Sequence, residues 1–568
     1  MPPVTANQTV AQSVARGIRA LGADRVFGLQ GGHIQPIWDA LAQLDVPVID
    51  ARDERGVVHM AHAYGELTGR VAVALVSAGP GVTNTLTAVA NADCARAPVL
   101  VIGGAVPRPQ VGKGALQALP QTDLMRPITR YVATANEPDQ VSRQLVEAFR
   151  AARGDAGPPG PAFLEFPTDV LRAPLAAASF AAARPPAVAP TDDAVQAAAD
   201  LLWSARRPLV ISGRGGRGAG PALTRLLDAT GAAYLDTQES RGLVADDHPS
   251  VVGAVRGAAM RDADVVVTVG RRLDFQLGYG SPAVFPTARF VRIAASPDEL
   301  DDNRRGDVEV HADPALSVDA ICAAAANRAP AIEAAWVDGL RAEHCSRGAK
   351  LAATMAAASA GADGFMHPYR LLDAIRQVID DDTVIIADGG DILSFARIAL
   401  PASAYLDPGV LGCLGVGVPF AVAAALARPG AKVISINGDG AFGFNALELD
   451  TALRHDTRAV FIVANNGAWN IEAHDQRLNW QGRLNGSLLR RSDYAMVARG
   501  LGLRAERIED PSDLPAALAR AFDSAPALLD VQVTRDAVSP DGQSGLAAVP
   551  DLQPLASWDA AERALREA

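Results

Sequence analysis

The chain has 568 residues and a mass of 58.9 kDa, enough for three or four domains at about 150 residues each. Half of the residues are apolar (49%) and a fifth are charged (20%), a balance that buries several cores and excludes a wholly disordered chain. The net charge of −12 argues against a nucleic-acid or anionic-membrane partner, so any anionic ligand must be held by local donors. Four scattered cysteines with no CxxC pair indicate neither a disulfide framework nor a zinc knuckle. Met1–Val10 lacks a basic stretch followed by an apolar core, and no apolar run reaches the ~18 residues that span a bilayer, so a reduced, cytoplasmic protein is expected.

In chain order, the short β-branched runs 46–49, 71–76, 99–102, 209–211, 265–269, 384–386, 433–436 and 460–463 predict buried parallel strands. Ala-rich segments such as 193–202 and 446–454 predict helices between them. That alternation implies an α/β protein with doubly wound parallel sheets. An Ala/Pro stretch over 173–190 and a small-residue run over 353–364 divide the chain. The expected parts are 1–180, 190–345 and 365–535, with a tail or lid over 536–568 that ends in a charged helix at 558–567.

The chemistry is concentrated in Gly438-Asp439-Gly440, which follows a strand and is expected to open a helix near Asn445. A Gly-rich strand-to-helix turn presents backbone N–H groups and a positive helix end, which suit a phosphate. Asp439 adds a hard oxygen for Mg²⁺, and Asn466, at the end of the next strand, adds an amide oxygen. Two neighbouring strands thus deliver one site at their carboxyl ends, where α/β sheets bind ligands.

On these motifs the chain resembles the thiamine-diphosphate (ThDP) enzymes, from about Thr9 to Arg535. The resemblance implies three doubly wound domains: a pyrimidine-binding domain, a middle domain and a diphosphate-binding domain. It places Mg²⁺ on Asp439, Asn466 and the carbonyl of Ala468, and the diphosphate beside Gly438, Gly440 and Ala441. Glu54, just after the strand at 46–49, matches the glutamate that hydrogen-bonds the aminopyrimidine and so lets the thiazolium C2 lose its proton. Leu414 matches the apolar wedge beneath the cofactor, and the Gly412 carbonyl matches an acceptor for the aminopyrimidine. Pro80 and Asn84 lie in a matching pyrimidine-side loop, and Gly390 and Asp391 in a diphosphate-side loop. An aspartate is unusual there, so backbone amides rather than the Asp391 carboxylate are expected to face the phosphate.

The segments Gly31-Gly32-His33, Gly114-Ala115-Leu116-Gln117 and Leu406-Asp407-Pro408-Gly409 are similar to those of acetolactate-synthase-like proteins that act as 2-hydroxyacyl-CoA lyases. That resemblance implies cleavage of an acyl-CoA into formyl-CoA and an aldehyde or ketone. His33, Gln117 and Glu472 are the candidate proton-handling groups, and Gly31 is a further cofactor contact. Glu472 departs from the lyase pattern and occupies a position like that of a glutamate in 2-oxoacid decarboxylases. The Gly-rich loop 213–218 brings Arg214 and Arg217 as candidate CoA ligands, joined by Arg256 and Arg271. The middle domain is open to CoA, ADP, FAD or no ligand. The resemblance also implies a homodimer or homotetramer with active sites at the dimer interface.

Overall fold

A computed structural model describes residues 8–176, 179–401 and 403–567. The expectation about a leader rests on residues 1–10, of which 1–7 lie outside the described residues.

The N-terminal sheet contains β1 (Val26–Gly28), β2 (Val48–Asp50), β3 (Ala72–Val76), β4 (Val99–Ala105), β5 (Tyr131–Thr134) and β6 (Ala162–Pro167). Their order is β2-β1-β3-β4-β6-β5, all parallel. The middle sheet contains β7 (Pro208–Ser212), β8 (Ala233–Leu235), β9 (Val265–Val269), β10 (Arg289–Ala294) and β11 (Val308–His311), in the order β8-β7-β9-β10-β11, again parallel. The C-terminal sheet contains β12 (Val384–Asp388), β13 (Ala404–Leu406), β14 (Val433–Gly438), β15 (Val460–Asn465), β16 (Arg504–Ile508) and β17 (Ala527–Gln532). Its order, β13-β12-β14-β15-β17-β16, repeats the pattern of the N-terminal sheet. The two outer domains are therefore topological copies, although the sequence shows no short-period repeat. Buried β-branched runs specify a strand but not its neighbour.

The functional geometry uses eight helices: α1 (Glu54–Thr68), α2 (Ala334–Ala357), α3 (Asp391–Ala399), α4 (Gly417–Ala427), α5 (Asp439–Asn445), α6 (Glu448–Arg454), α7 (Asn470–Asn479) and α8 (Ala556–Glu567). Helix α1 packs on α4 across the domain boundary, so Val57, Val58, Met60 and Ala61 share one apolar cluster with Phe420, Ala421 and Val422. The rings of His62 and Phe420 meet edge-on at 4.9 Å.

Helix α2 runs through residue 345 and into the small-residue run at 353–364, because its Ala-rich second half continues the helix. One element start differs from the sequence reading. The helix after Gly438 starts at Asp439 rather than near Asn445, with Gly438 as its extended N-cap, and a second helix begins at Glu448. The tail is structured among its described residues: a short helix over Pro540–Ser544 ends at Gly545 in the left-handed region (φ 76°), and α8 closes the chain. Among the described residues no helix is long and apolar enough to cross a membrane.

Candidate active site

Three adjacent strands build one half of the site. β12 ends in Asp388 and turns through Gly389-Gly390 into α3, β14 turns at Gly438 into α5, and β15 leads through Asn466–Ala468 into α7. Their loops open side by side into a cavity of 1810 Å³ between the C-terminal and middle domains. Gly390, Asp391, Gly438, Gly440 and Ala441 line it, as do Asp439, Asn466 and Ala468. Gly412, Leu414 and Glu472 complete that half. Close approach is built in at Gly440, where a Cβ would come within 2.5–2.8 Å of the Trp469 ring.

This half fits a divalent cation and a diphosphate. Asp439 Oδ2 is buried without a hydrogen-bond partner, an acceptor available to a ligand. Burial pushes the Asp439 carboxyl up to about 6, against the pull of the Asn466 and Gly467 amides. Asn466 Oδ1 accepts from Ala468 N at 2.9 Å, which folds the 466–468 loop over Asp439. The set holds one carboxylate, so it forms no cage of His, Cys, Asp and Glu, and none occurs elsewhere among the described residues. The remaining ligands would come from the diphosphate, as Mg²⁺ sites of few protein ligands allow.

The walls are fixed by buried polar contacts. Asp388 Oδ2 accepts from the amides of Gly415 (3.0 Å) and Gly417 (2.8 Å), anchoring the loop that carries Leu414. Burial pushes the Asp388 carboxyl up to about 7. The Asp391 carboxylate turns toward α7, where Asn470 Nδ2 donates to it at 2.9 Å. Glu472, two residues further, is exposed to the cavity; burial by the walls raises its carboxyl pKa, with Asp391 and Asp475 adding to the shift. A carboxyl raised in this way suits proton transfer. The tail passes beside the cavity: Asp541 N donates to Ser394 Oγ at 2.9 Å, and Gln553 Nε2 reaches Gly278 O in the middle domain at 3.4 Å. Leu546, Val549 and Trp558 of the tail line the cavity.

The second half stands at the carboxyl end of the N-terminal sheet. Glu54 opens α1, with Asp53 as its N-cap, and Glu54 Oε2 accepts from Asn84 Nδ2 at 3.0 Å. The expected pyrimidine-side loop is a short helix over Pro80–Thr83, fixed by Gln121, whose Oε1 accepts from Gly79 N while its Nε2 donates to Gly104 O (3.0 Å) and Glu165 Oε2 (2.6 Å). Gly79 (φ 59°) needs its missing side chain, since a Cβ would lie 2.8 Å from the Cβ of Gln117. Gln117 is itself in the left-handed region (φ 65°). Gly31 abuts Ser77, and His33 backs onto Gly104. Glu54, Asn84, Pro80, Gln117, Gly31 and His33 are therefore gathered at one sheet end, but none of them lines the 1810 Å³ cavity of the same chain.

The middle-domain arginines are placed differently from one another. Arg214 and Arg217 do not face that cavity; both pair with Glu66 of α1, Arg217 at 3.2 Å. Their Gly-rich loop grips a carboxylate of the neighbouring domain rather than offering free donors. Arg271 is buried and bonded to Asp274 at 2.7 Å and Gln276 at 2.8 Å. Of the four arginines only Arg256 reaches the cavity, where it donates to Gln276 O at 2.7 Å. Arg241, Arg347 and Arg397 line the cavity as well, and the sequence reading missed them because no glycine-rich motif surrounds them.

Three parallel α/β domains, with a Gly-Asp-Gly turn and an Asn-bearing loop opening on one cavity, define a cofactor-binding enzyme scaffold. The chain belongs to the thiamine pyrophosphate enzymes. Family models match it as "Thiamine pyrophosphate enzyme, N-terminal TPP binding domain" over residues 8–125, "central domain" over 195–321 and "C-terminal TPP binding domain" over 390–531. It is similar to a probable acetolactate synthase of Mycobacterium bovis, at 32% identity over 94% of this chain and 97% of the relative. It is likewise similar to 2-hydroxyacyl-CoA lyase 2 of Caenorhabditis elegans, at 33% identity over 88% of this chain and 84% of the relative. A third relative, 2-hydroxyacyl-CoA lyase 1 of Mus musculus, is 29% identical over 92% of this chain and 94% of its own length.

Proposed function

We propose that the chain is a ThDP- and Mg²⁺-dependent 2-hydroxyacyl-CoA lyase of the cytoplasm. It would cleave a short, including branched, 2-hydroxyacyl-CoA such as 2-hydroxyisobutyryl-CoA into a ketone or aldehyde and formyl-CoA. The observation that carries this reading is the shape of the cavity, which runs from the diphosphate loops past Glu472 to Arg256 in the middle domain. Its 1810 Å³ exceeds the several hundred Å³ that suffice for a small ligand, and suits a substrate with a long anionic handle.

When bound, thiamine diphosphate supplies a nucleophilic thiazolium carbon that stores the electron pair of the broken bond. The protein's part is positioning and proton transfer. Asp439, Asn466 and the Ala468 carbonyl would hold Mg²⁺ and, with the Gly438–Ala441 turn, the diphosphate, and Leu414 would pack against the cofactor. Glu54 would hold a proton at its carboxylate for the aminopyrimidine. In the net reaction the 2-hydroxyl proton ends on C1 as the C1–C2 bond breaks, and Glu472 carries it from oxygen to carbon. His33 and Gln117 donate to polar atoms of the reacting group.

Because the Glu54 half stands outside the cavity of its own chain, the reading places a second copy beside it, as a homodimer or homotetramer. Leu116 beside Gln117 (80% exposed) and Leu447 between α5 and α6 (56% exposed) support a covered face there. An acetolactate-synthase activity is the second reading, favoured by the likeness to the Mycobacterium bovis relative. A 2-oxoacid or oxalyl-CoA decarboxylase is the third, favoured by Glu472. The test compares kcat/KM on short 2-hydroxyacyl-CoA esters with that on pyruvate and oxalyl-CoA, with products separated by HPLC. Formyl-CoA from the hydroxyacyl esters is expected; acetolactate with a yellow flavin-bearing protein, or CO₂ release, would overturn the lyase reading.

A further inference from the structure

Glu448, the first residue of α6, is a buried carboxylate that the mechanism above does not use; it is 1% exposed. Its Oε1 accepts from the main-chain amides of Arg52 (3.1 Å) and Asp53 (3.0 Å), the two residues directly before Glu54. Its Oε2 accepts from Arg52 N at 3.3 Å and from Thr451 Oγ at 2.5 Å. A side chain of the C-terminal domain thus holds the main chain of the N-terminal domain where α1 begins. Gly56, in the first turn of α1, leaves the room for this approach, since a Cβ there would collide with the Glu448 carboxylate.

The rest of α6 and the residue after it grip the same segment. Arg454 pairs with the Asp50 carboxylate at 2.5 Å and donates to Asp50 O at 2.6 Å. His455 Nε2 stands 2.9 Å from Asp50 Oδ1, and Arg52 reaches Asp450 at 3.5 Å. Those ion pairs are partly exposed, and such pairs contribute little. Glu448 differs because it is buried and binds main chain. Burial pushes its carboxyl up to about 7, with Asp53 adding to the shift. Retaining a carboxylate at this cost, rather than an apolar contact, calls for a positional reason.

We propose that Glu448 is a positioning residue that fixes the 52–54 turn and thereby sets where the Glu54 carboxylate meets the cofactor's pyrimidine ring. The proposal rests on the reading of Glu54 given above. An interdomain contact serving stability alone would change melting but not the reactivity of the bound cofactor. A carboxylate displaced by about 1 Å can lose a hundredfold in proton transfer, so the two roles separate experimentally.

Two measurements test it. In the cofactor-free protein, amide hydrogen exchange over 50–57 should quicken about tenfold in Glu448→Ala and in Glu448→Asp, whose shorter side chain withdraws the acceptor. In the ThDP-loaded protein without substrate, H/D exchange at the thiazolium C2 should slow about tenfold in the same variants, kcat should fall in step, and KM and cofactor affinity should stay within about twofold. Glu448→Gln, which keeps an amide oxygen for the Arg52 and Asp53 amides, should remain within about threefold of the parent in both measurements. Unchanged exchange in the Asp variant, or a Gln variant as impaired as Ala, would overturn the proposal. The control Glu54→Gln keeps the failures distinguishable. If it leaves C2 exchange intact, the reading of Glu54 falls; if it stops C2 exchange while Glu448→Asp does not slow it, only the positioning role falls.

Discussion

In the C-terminal domain the loops after β12, β14 and β15 lie side by side and open into one cavity, whose lining includes Asp439 with a partnerless carboxylate oxygen. In the N-terminal domain, on a sheet of the same strand order, Glu54, Asn84 and Gln117 gather at the sheet end yet stand apart from that cavity. On the proposed reading one scaffold is used twice, once to bind charge and once to handle protons. Binding and activation of the cofactor should accordingly be separable by mutation.

The largest separation is expected at Glu54. Glu54→Gln should lower turnover about a thousandfold while cofactor affinity, read by fluorescence titration, changes little. Asp439→Ala should instead weaken Mg²⁺-dependent ThDP binding about a hundredfold, leaving the variant inactive at the cofactor concentration that saturates the parent. Mixing these two inactive variants and allowing subunits to exchange should restore about a quarter of parental activity, if each site draws its halves from two copies. No recovery would break the division proposed between copies.

A smaller effect is expected at Glu472, a titratable group of the cavity wall. Glu472→Gln should slow cleavage about a hundredfold with cofactor affinity held within about threefold. Because the carboxyl pKa is raised, the parental kcat should fall as pH drops through that raised value and the group becomes protonated. A kcat profile in which the Gln variant keeps that acid limb would contradict the assignment.

The smallest contrast lies within the middle domain. Arg256→Ala should raise KM for the CoA ester about tenfold with kcat and melting temperature unchanged. Arg214→Ala should leave KM alone and destabilise the fold by about 2 kcal/mol, because it removes one of the two arginine partners of the buried Glu66 carboxylate. Steady-state kinetics and thermal melts of the two variants check this together.

What was legible in the sequence follows from how each feature is encoded. Gly438-Asp439-Gly440 and Asn465-Asn466 are contiguous motifs at strand ends, so strand position alone brings them together. Glu448 carries no such signal: its partners Arg52 and Asp53 are almost four hundred residues away, and an acid opening a helix reads as a solvated cap. Arg214 and Arg217 are hard to read for the opposite reason. A glycine-rich loop with arginines reads the same whether its donors meet a phosphate or Glu66, and only the packing of α1 against the middle domain decides. Arg241, Arg347 and Arg397 come to the cavity from three dispersed segments that no local pattern joins.

The central claim concerns which bond is broken, and isotope tracing reads that directly. A set of short 2-hydroxyacyl-CoA esters, one of them branched at C2, would be labelled with ¹³C at C1 and incubated with the ThDP- and Mg²⁺-loaded protein in D₂O. The account predicts ¹³C in formyl-CoA bearing one deuterium on the labelled carbon, with an equal amount of unlabelled ketone or aldehyde. Label emerging as CO₂, or no cleavage of any ester by a protein that turns pyruvate into acetolactate, would contradict it.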